Sequence, residues 1–300
     1  MSQLMTNTHG VVLDPRYQIR RVDPSVGDWA KAMGVEGFLL RDATLWKPIL
    51  PAPKTANALK GFRKLSGHYN HSIMSGHSYA IFDTQYRYRR TQSAAYGGML
   101  YWDELDPRES GFEKHGRRKM LERMDFPMVC IAFAFDAFAP RSESATAKML
   151  DLLPLQSQLG AFLASMDPRP METWAPTDYG QVLIRSGCVT RPGYEGQGLA
   201  TALNQFVMLE AKWRGFYGIN VGMGNASIYR SYMNPPPGVR SEVLSYWDFE
   251  EIELVDKRGR KIRPYVGSGM KEGWYIWCDL TDQTYLYTNT MQPLISQYGA

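Results

Sequence analysis

Gln181-Val-Leu-Ile-Arg-Ser-Gly-Cys-Val189 runs directly into Thr190-Arg-Pro-Gly-Tyr-Glu-Gly-Gln-Gly198, and that into Leu199-Ala-Thr-Ala-Leu-Asn-Gln-Phe-Val-Met-Leu-Glu-Ala-Lys-Trp213. The first stretch is apolar enough to be a strand, with Gly187 placed to allow a bulge. The second is a glycine-rich turn. In the third, Leu199, Ala202, Leu203, Phe206, Leu209 and Trp213 share one face at helical spacing, and Gly215 ends the run. Glycines let a backbone approach a ligand closely, and the free N–H groups of a first helical turn present partial positive charge to an anion. Here those donors come from Gly196 through Thr201, and a phosphate or pyrophosphate suits them. A Gly-x-Gly is also what any tight turn uses.

Downstream, Tyr217-Gly-Ile-Asn-Val221 reads as a strand. Asn225 then caps a short helix that must stop before Pro235-Pro-Pro237. Two phosphate motifs can be set aside. Gly196-Gln-Gly198-Leu-Ala-Thr201 lacks the third glycine of a dinucleotide fingerprint, and no Gly-Lys-Ser/Thr follows the turn as a P-loop requires.

The turn resembles the acyl-CoA-binding motif of the GNAT superfamily of acetyltransferases, Arg/Gln-x-x-Gly-x-Gly/Ala after a strand. Pro192, Tyr194, Gly196, Gly198, Leu199 and Ala200 fall in register with it. Asn225-Ala-Ser-Ile-Tyr-Arg-Ser-Tyr232 resembles the family's Asn…Tyr segment. Seven residues on a helix return nearly to the same azimuth, so Asn225 and Tyr232 share a face. The resemblance implies an α/β (α+β) fold with a central mixed sheet flanked by helices. It implies acetyl-CoA as cosubstrate and no metal.

By the same resemblance, the amides of Gly196, Gln197, Gly198, Ala200 and Thr201, with Leu199 beside them, would hold the CoA pyrophosphate. Thr190, Tyr194 and Glu195 would flank it. Asn225, with Ile228 and Tyr229, would line the pantetheine side, and Tyr232 would protonate the departing thiolate. Tyr229 is a second possible acid. Backbone N–H groups near Cys188 and Val189 would face the thioester carbonyl. The acceptor implied is a small-molecule amine.

Glu195 departs from the family pattern, which has Arg or Gln there. A carboxylate near a pyrophosphate is repulsive by ~0.3–1 kcal/mol if exposed. It keeps open a second reading, a scaffold repurposed for non-acetyl chemistry or for ligand binding without acyl transfer. The general base is not legible; Asp83, Asp136, Glu172 and Asp178 are candidates, with Asp178 favoured because it lies just before the strand at 181–189. His68, His71 and His77 sit close together on what reads as a loop, where they could serve a metal or catalysis. Cys188 reads as a small buried hydrophobe.

The chain reads as one domain over 1–300. A strand (17–22), helices (including one over 54–71) and a hairpin (78–102) occupy 15–103, and a mainly helical insertion shaping the acceptor pocket occupies 104–176. The acyl-CoA core spans 177–235, further strands 236–280 and a loosely held tail 281–300. Aromatics at Tyr246, Trp247, Trp274, Tyr275 and Trp277 suggest a small-molecule pocket.

Composition narrows the classes. Of 300 residues, 44% are hydrophobic and 21% charged, which excludes wholesale disorder. A balance of 34 Lys+Arg against 30 Asp+Glu is too even to imply nucleic acid. Three cysteines without a CxxC favour a reducing compartment. No signal peptide is visible, and the apolar run Phe126–Phe135 is about half a membrane span. The expectation is a cytoplasmic monomer or homodimer with no membrane or nucleic-acid partner.

Overall fold

A computed structural model describes residues 9–281; beyond Thr281, the expected tail lies outside the described residues. Seven strands form the main sheet: β1 (Tyr17–Arg21), β2 (Tyr79–Asp83), β3 (Met128–Asp136), β4 (Val182–Thr190), β5 (Gly218–Met223), β6 (Arg240–Asp248) and β7 (Glu272–Asp279). Their spatial order is β1-β2-β3-β4-β5-β7-β6. All neighbours are antiparallel except β4 and β5. β3 is buried along its whole length, which explains why its sequence is continuously apolar rather than alternating.

Helices cover both faces. Those before β4 are α1 (Gly27–Leu39), α2 (Lys54–Lys64), α3 (Ser66–Met74), α4 (Thr91–Tyr96), α5 (Phe112–Glu122), α6 (Glu143–Leu152) and α7 (Gln156–Ser165). α1, α2 and α3 share a core with Ile131 and Phe133 on one face. On the other, α8 (Leu199–Trp213) packs Leu203, Phe206 and Val207 with Cys130, Ala132 and Ala134 of β3. α9 (Ala226–Met233) follows β5. α1 lies so close to β4 that a Cβ on Gly37 would stand 2.5 Å from a Val189 methyl. No described helix is long and apolar enough to cross a membrane.

Several expectations change. The hairpin over 78–102 does not form: β2 pairs with β1 and β3, and Met99–Leu100 pairs with Met124–Asp125. The segment 86–90 is instead pinned by buried Asp125, which accepts from Tyr86 Oη at 3.2 Å and from the Arg89 and Arg90 amides at 3.0 Å. The expected helix over 54–71 is two, α2 and α3, broken at Leu65. Residues 104–176 hold α5–α7 as expected of a mainly helical stretch, yet they also supply β3, a central strand of the sheet. β6 falls within the expected strands of 236–280, but its bounds carry no sequence signal: as an edge strand with both faces largely exposed it lacks a period-2 alternation. Trp213, read as sharing the apolar face of its helix, is 74% exposed at the helix end.

Candidate functional site

β4 and β5 are hydrogen-bonded only where Val182–Arg185 faces Gly218–Val221. A bulge at Ser186 follows, since Arg185 opposes Ala134 of β3 while Gly187 opposes Phe133. Beyond it β4 stays paired with β3 through Thr190, and β5 stays paired with β7 through Met223. The two parallel strands therefore part. A cleft of about 170 Å³ opens between them.

One wall is Arg185–Val189 of β4 and another is Val221–Asn225. α1 and the loop after it add Phe38, Arg41, Leu45 and Trp46, with the Phe38 and Trp46 rings edge to face at 5.3 Å. Asn225 caps α9, its Oδ1 accepting from the amides of Ser227 (2.9 Å) and Ile228 (3.2 Å). Asn225, Ile228 and Tyr232 all reach the cleft, as one helical face predicts. Tyr229 does not line it and stacks on Trp274 at 4.5 Å.

Tyr232 is 1% exposed, and burial pushes its phenol up to about 12, with adjacent Arg185 opposing. Arg185 donates from Nε to Tyr232 Oη at 3.0 Å, from Nη1 to the Phe133 carbonyl at 2.7 Å and from Nη2 to Asn204 Oδ1 at 2.8 Å. Asn204 Nδ2 continues to Ser231 Oγ at 3.0 Å. Burial pushes the Cys130 thiol well up, whereas its hydrogen bond to Cys188 and nearby Arg185 lower Cys188.

Gly196 and Gly198 have φ of +76° and +74°, the left-handed region that favours glycine. Gly198 is the N-cap of α8 and supplies no side-chain acceptor, so the amides of Leu199, Ala200 and Thr201 keep their donor capacity for a ligand. Two tyrosines anchor the turn to the sheet. Tyr194 Oη donates to Asp83 at 2.9 Å, and Tyr17 Oη donates to Gln197 Oε1 at 2.5 Å. Asp83 is in turn paired with Arg16 at 2.6 Å. Burial and the Asp83 hydrogen bond push the Tyr194 phenol up to about 12.

Glu195 has a partner that sequence reasoning missed. Arg41 donates to Glu195 at 2.6 Å and to the Thr190 carbonyl, and lies 3.4 Å from Glu36. The charge that departs from the family pattern is thus offset by a guanidinium at the cleft. Cys188 and Val189 line the cleft; Thr190 closes β4 beside it. Leu199 is buried beneath the turn, with Ala200 and Thr201 half-buried.

Asp178 is a correction. It is exposed in the turn before β4, at the strand end opposite the cleft, and accepts from the Tyr179 amide. Asp83 holds Tyr194, Asp136 accepts from the Gly180 and Phe138 amides, and Glu172 is exposed. Among the described residues no carboxylate lines the cleft. His68 and His71 lie in α3 rather than a loop, packed on Trp46 and Phe135, and no metal-binding group of His, Cys, Asp and Glu occurs among the described residues. The aromatic walls come from Phe38 and Trp46, while Tyr246 is exposed and Trp247 is in the core. No residue of 104–176 lines the cleft. A lone arginine inside Val-Leu-Ile-Arg-Ser-Gly-Cys-Val was the signal that could have marked Arg185; Arg41, Phe38 and Trp46 carried none.

No protein-family model matches the chain, and no curated protein matches it in sequence. Among solved structures it is similar to the C-terminal condensation domain of Ebony, solved in complex with beta-alanyl-dopamine. The TM-score is 0.55 at 13% identity, over 87% of this chain and 97% of that one. It is also similar to arylalkylamine N-acetyltransferase 2 from Aedes aegypti, with TM-score 0.52 at 10% identity, over 88% and 99%. At these identities the likeness is one of fold.

Proposed function

On the GNAT acyltransferase fold that this chain has, we propose that it transfers an acetyl group from acetyl-CoA to the amine of a small molecule. The observation that carries this is the parting of β4 and β5 with Tyr232 and Asn225 on one helical face at the opening. The uncapped first turn of α8 suits the pyrophosphate, and the cleft suits the pantetheine arm. The amine attacks the thioester carbonyl directly, and Tyr232 donates a proton to the departing sulfur. Amides at Cys188 and Val189 face the carbonyl oxygen.

Phe38, Leu45 and Trp46 favour an apolar or aromatic amine. Two arginines and no carboxylate line the described cleft, so the amine binds as the neutral base and sheds its proton through water. The Aedes neighbour is named for arylalkylamines, which agrees with this wall chemistry. Three unpaired cysteines fit a cytoplasmic protein, a monomer or homodimer. Basic side chains that could face an anionic partner are engaged internally, Arg90 with Glu104 and Lys261 and Arg263 with Glu253. The repurposed-scaffold reading rested on Glu195, whose charge Arg41 offsets.

A thermal-shift titration with acetyl-CoA tests the proposal. At about 100 times Kd a ligand stabilises by ~2.7 kcal/mol. Gly198→Asp, placing a carboxylate at the turn, abolishes the shift, whereas Tyr232→Phe preserves it and loses thiol release with phenethylamine. A folded wild type that acetyl-CoA does not stabilise overturns the proposal.

A further inference from the structure

Arg185 is 5% exposed, and its three hydrogen-bond partners, the Phe133 carbonyl, Asn204 and Tyr232, are all neutral. No ion pair with a carboxylate is formed by this residue in the described structure. Burying a cation without a counter-charge is expensive, and neutral acceptors offset only part of that. The residue also lines the cleft beside Tyr232. A guanidinium can only donate, so the Tyr232 oxygen is the acceptor in their 3.0 Å contact. The phenol's own proton is left to point elsewhere, and the cleft is the open direction.

We infer that Arg185 is a positioning residue for the anion that acyl transfer creates, holding Tyr232 as a donor toward the sulfur and balancing the negative charge that arrives there. The inference rests on the acyl-transfer reading above. The step balances. The amine nitrogen forms the C–N bond, the C–S bond breaks, and its electron pair leaves on sulfur. The Tyr232 proton passes to that sulfur, leaving a phenolate against Arg185 Nε. The phenolate recovers the proton that the new amide nitrogen sheds, through water, so the products are amide and free thiol. The fork to Phe133 and Asn204 fixes the guanidinium plane, which a lysine could not reproduce.

Free CoA and S-ethyl-CoA, which has no ionisable thiol, distinguish the outcomes. A free thiol ionises near a pKa of about 8.5. If Arg185 favours the anion, the bound pKa falls below the free one. CoA then binds more tightly as pH rises from 7 toward 8.5, by up to about tenfold per unit. Thiolate with phenol and thiol with phenolate carry the same net proton count, so the titration reads Arg185 whichever atom holds the charge. The other titratable or charged groups facing this point are Cys188 of β4, Cys130 of β3, Cys278 of β7 and Arg41 after α1. α8 and α9 add neutral Asn204 and Ser231. Arg41 and the cysteines act on a thiolate but not on a thioether, so it is the Arg185 variant, and not the ratio of the two affinities, that separates Arg185 from them.

Calorimetry should show CoA affinity rising with pH while S-ethyl-CoA affinity stays flat, and Arg185→Met should flatten the CoA curve. Because that variant empties a buried site and can fail to fold, Arg41→Gln supplies the second comparison: a rise with pH that survives it leaves Arg185 as the cation responsible, whereas its loss assigns the effect to Arg41 and overturns the inference. Parallel pH curves for the two ligands overturn the inference while leaving acyl-CoA binding intact. Binding of neither ligand overturns the acyl-transfer reading and this inference with it.

Discussion

A carboxylate at position 195, where the resembling family has Arg or Gln, looked like a defect at the level of one residue. The Arg41 guanidinium reaches it at 2.6 Å from a segment some 150 residues earlier and also lies 3.4 Å from Glu36, so the local charge is that of the three groups together. Arg41 and Glu195 are both partly exposed, so their pair is worth ~0.2–1 kcal/mol. Arg41→Gln is expected to weaken acetyl-CoA binding by about two- to fivefold through the Glu195 charge it uncovers. Calorimetry of the double variant checks this: in a Glu195→Gln background the Arg41→Gln effect should shrink toward nothing, and an undiminished effect would mean that Arg41 contacts the ligand itself. Tyr232→Phe should lower kcat by about 10²–10⁴-fold with the Kd for acetyl-CoA nearly unchanged. Steady-state kinetics alongside equilibrium binding separate the two quantities.

Two helix starts organise the site at the scale of elements. α8 begins at a left-handed Gly198 with no side-chain cap, whereas α9 begins at Asn225 with two amide hydrogen bonds. The first start is open to a ligand and the second is satisfied internally. Gly198→Ala forces an L side chain into φ +74°, at ~1–2 kcal/mol, although nothing stands within 4 Å of the new Cβ. Its melting point should fall by a few degrees and acetyl-CoA affinity should fall with it, because relieving the strain reorients the amides. Asn225→Ala removes a cap worth about 1 kcal/mol. Since α9 carries Ile228 and Tyr232, that loss should raise the KM for acetyl-CoA as well as lower the melting point, and a change in melting point alone would separate the cap from the cleft.

At the scale of the whole molecule, burial sets the response to pH. Burial pushes the His68 and His77 side chains down to about 4, from an ordinary value of 6.5. The unfolded chain therefore binds protons that the folded chain refuses between pH 6.5 and 4, and stability falls as pH drops through that window. Melting points should decline from pH 7 to 4, and His77→Gln should flatten part of the decline. An unchanged slope in that variant would show that His77 titrates normally in the folded state.

The strand, turn and helix over 181–213 and the cap at Asn225 were legible because each depends on local rules: glycine at positive φ, an amide-accepting side chain, helical spacing. The Asn225–Tyr232 face was legible for the same reason, since helical periodicity alone brings the two together. Pairing was not local. Whether 86–102 returned as a hairpin was decided by Asp125, thirty-odd residues away in sequence, and the edge strand β6 had no buried face to impose alternation. The cleft itself exists because β4 and β5 are held apart by different neighbours beyond Arg185. Arg41, Phe38 and Trp46 reach it only because α1 packs against β4 at Gly37. Sequence determined the strand, glycine turn and helix over 181–213 and the capped helix after Asn225; tertiary structure decided the strand pairing and which charges and aromatic walls meet at the cleft, because those contacts join segments that no short-range periodicity relates.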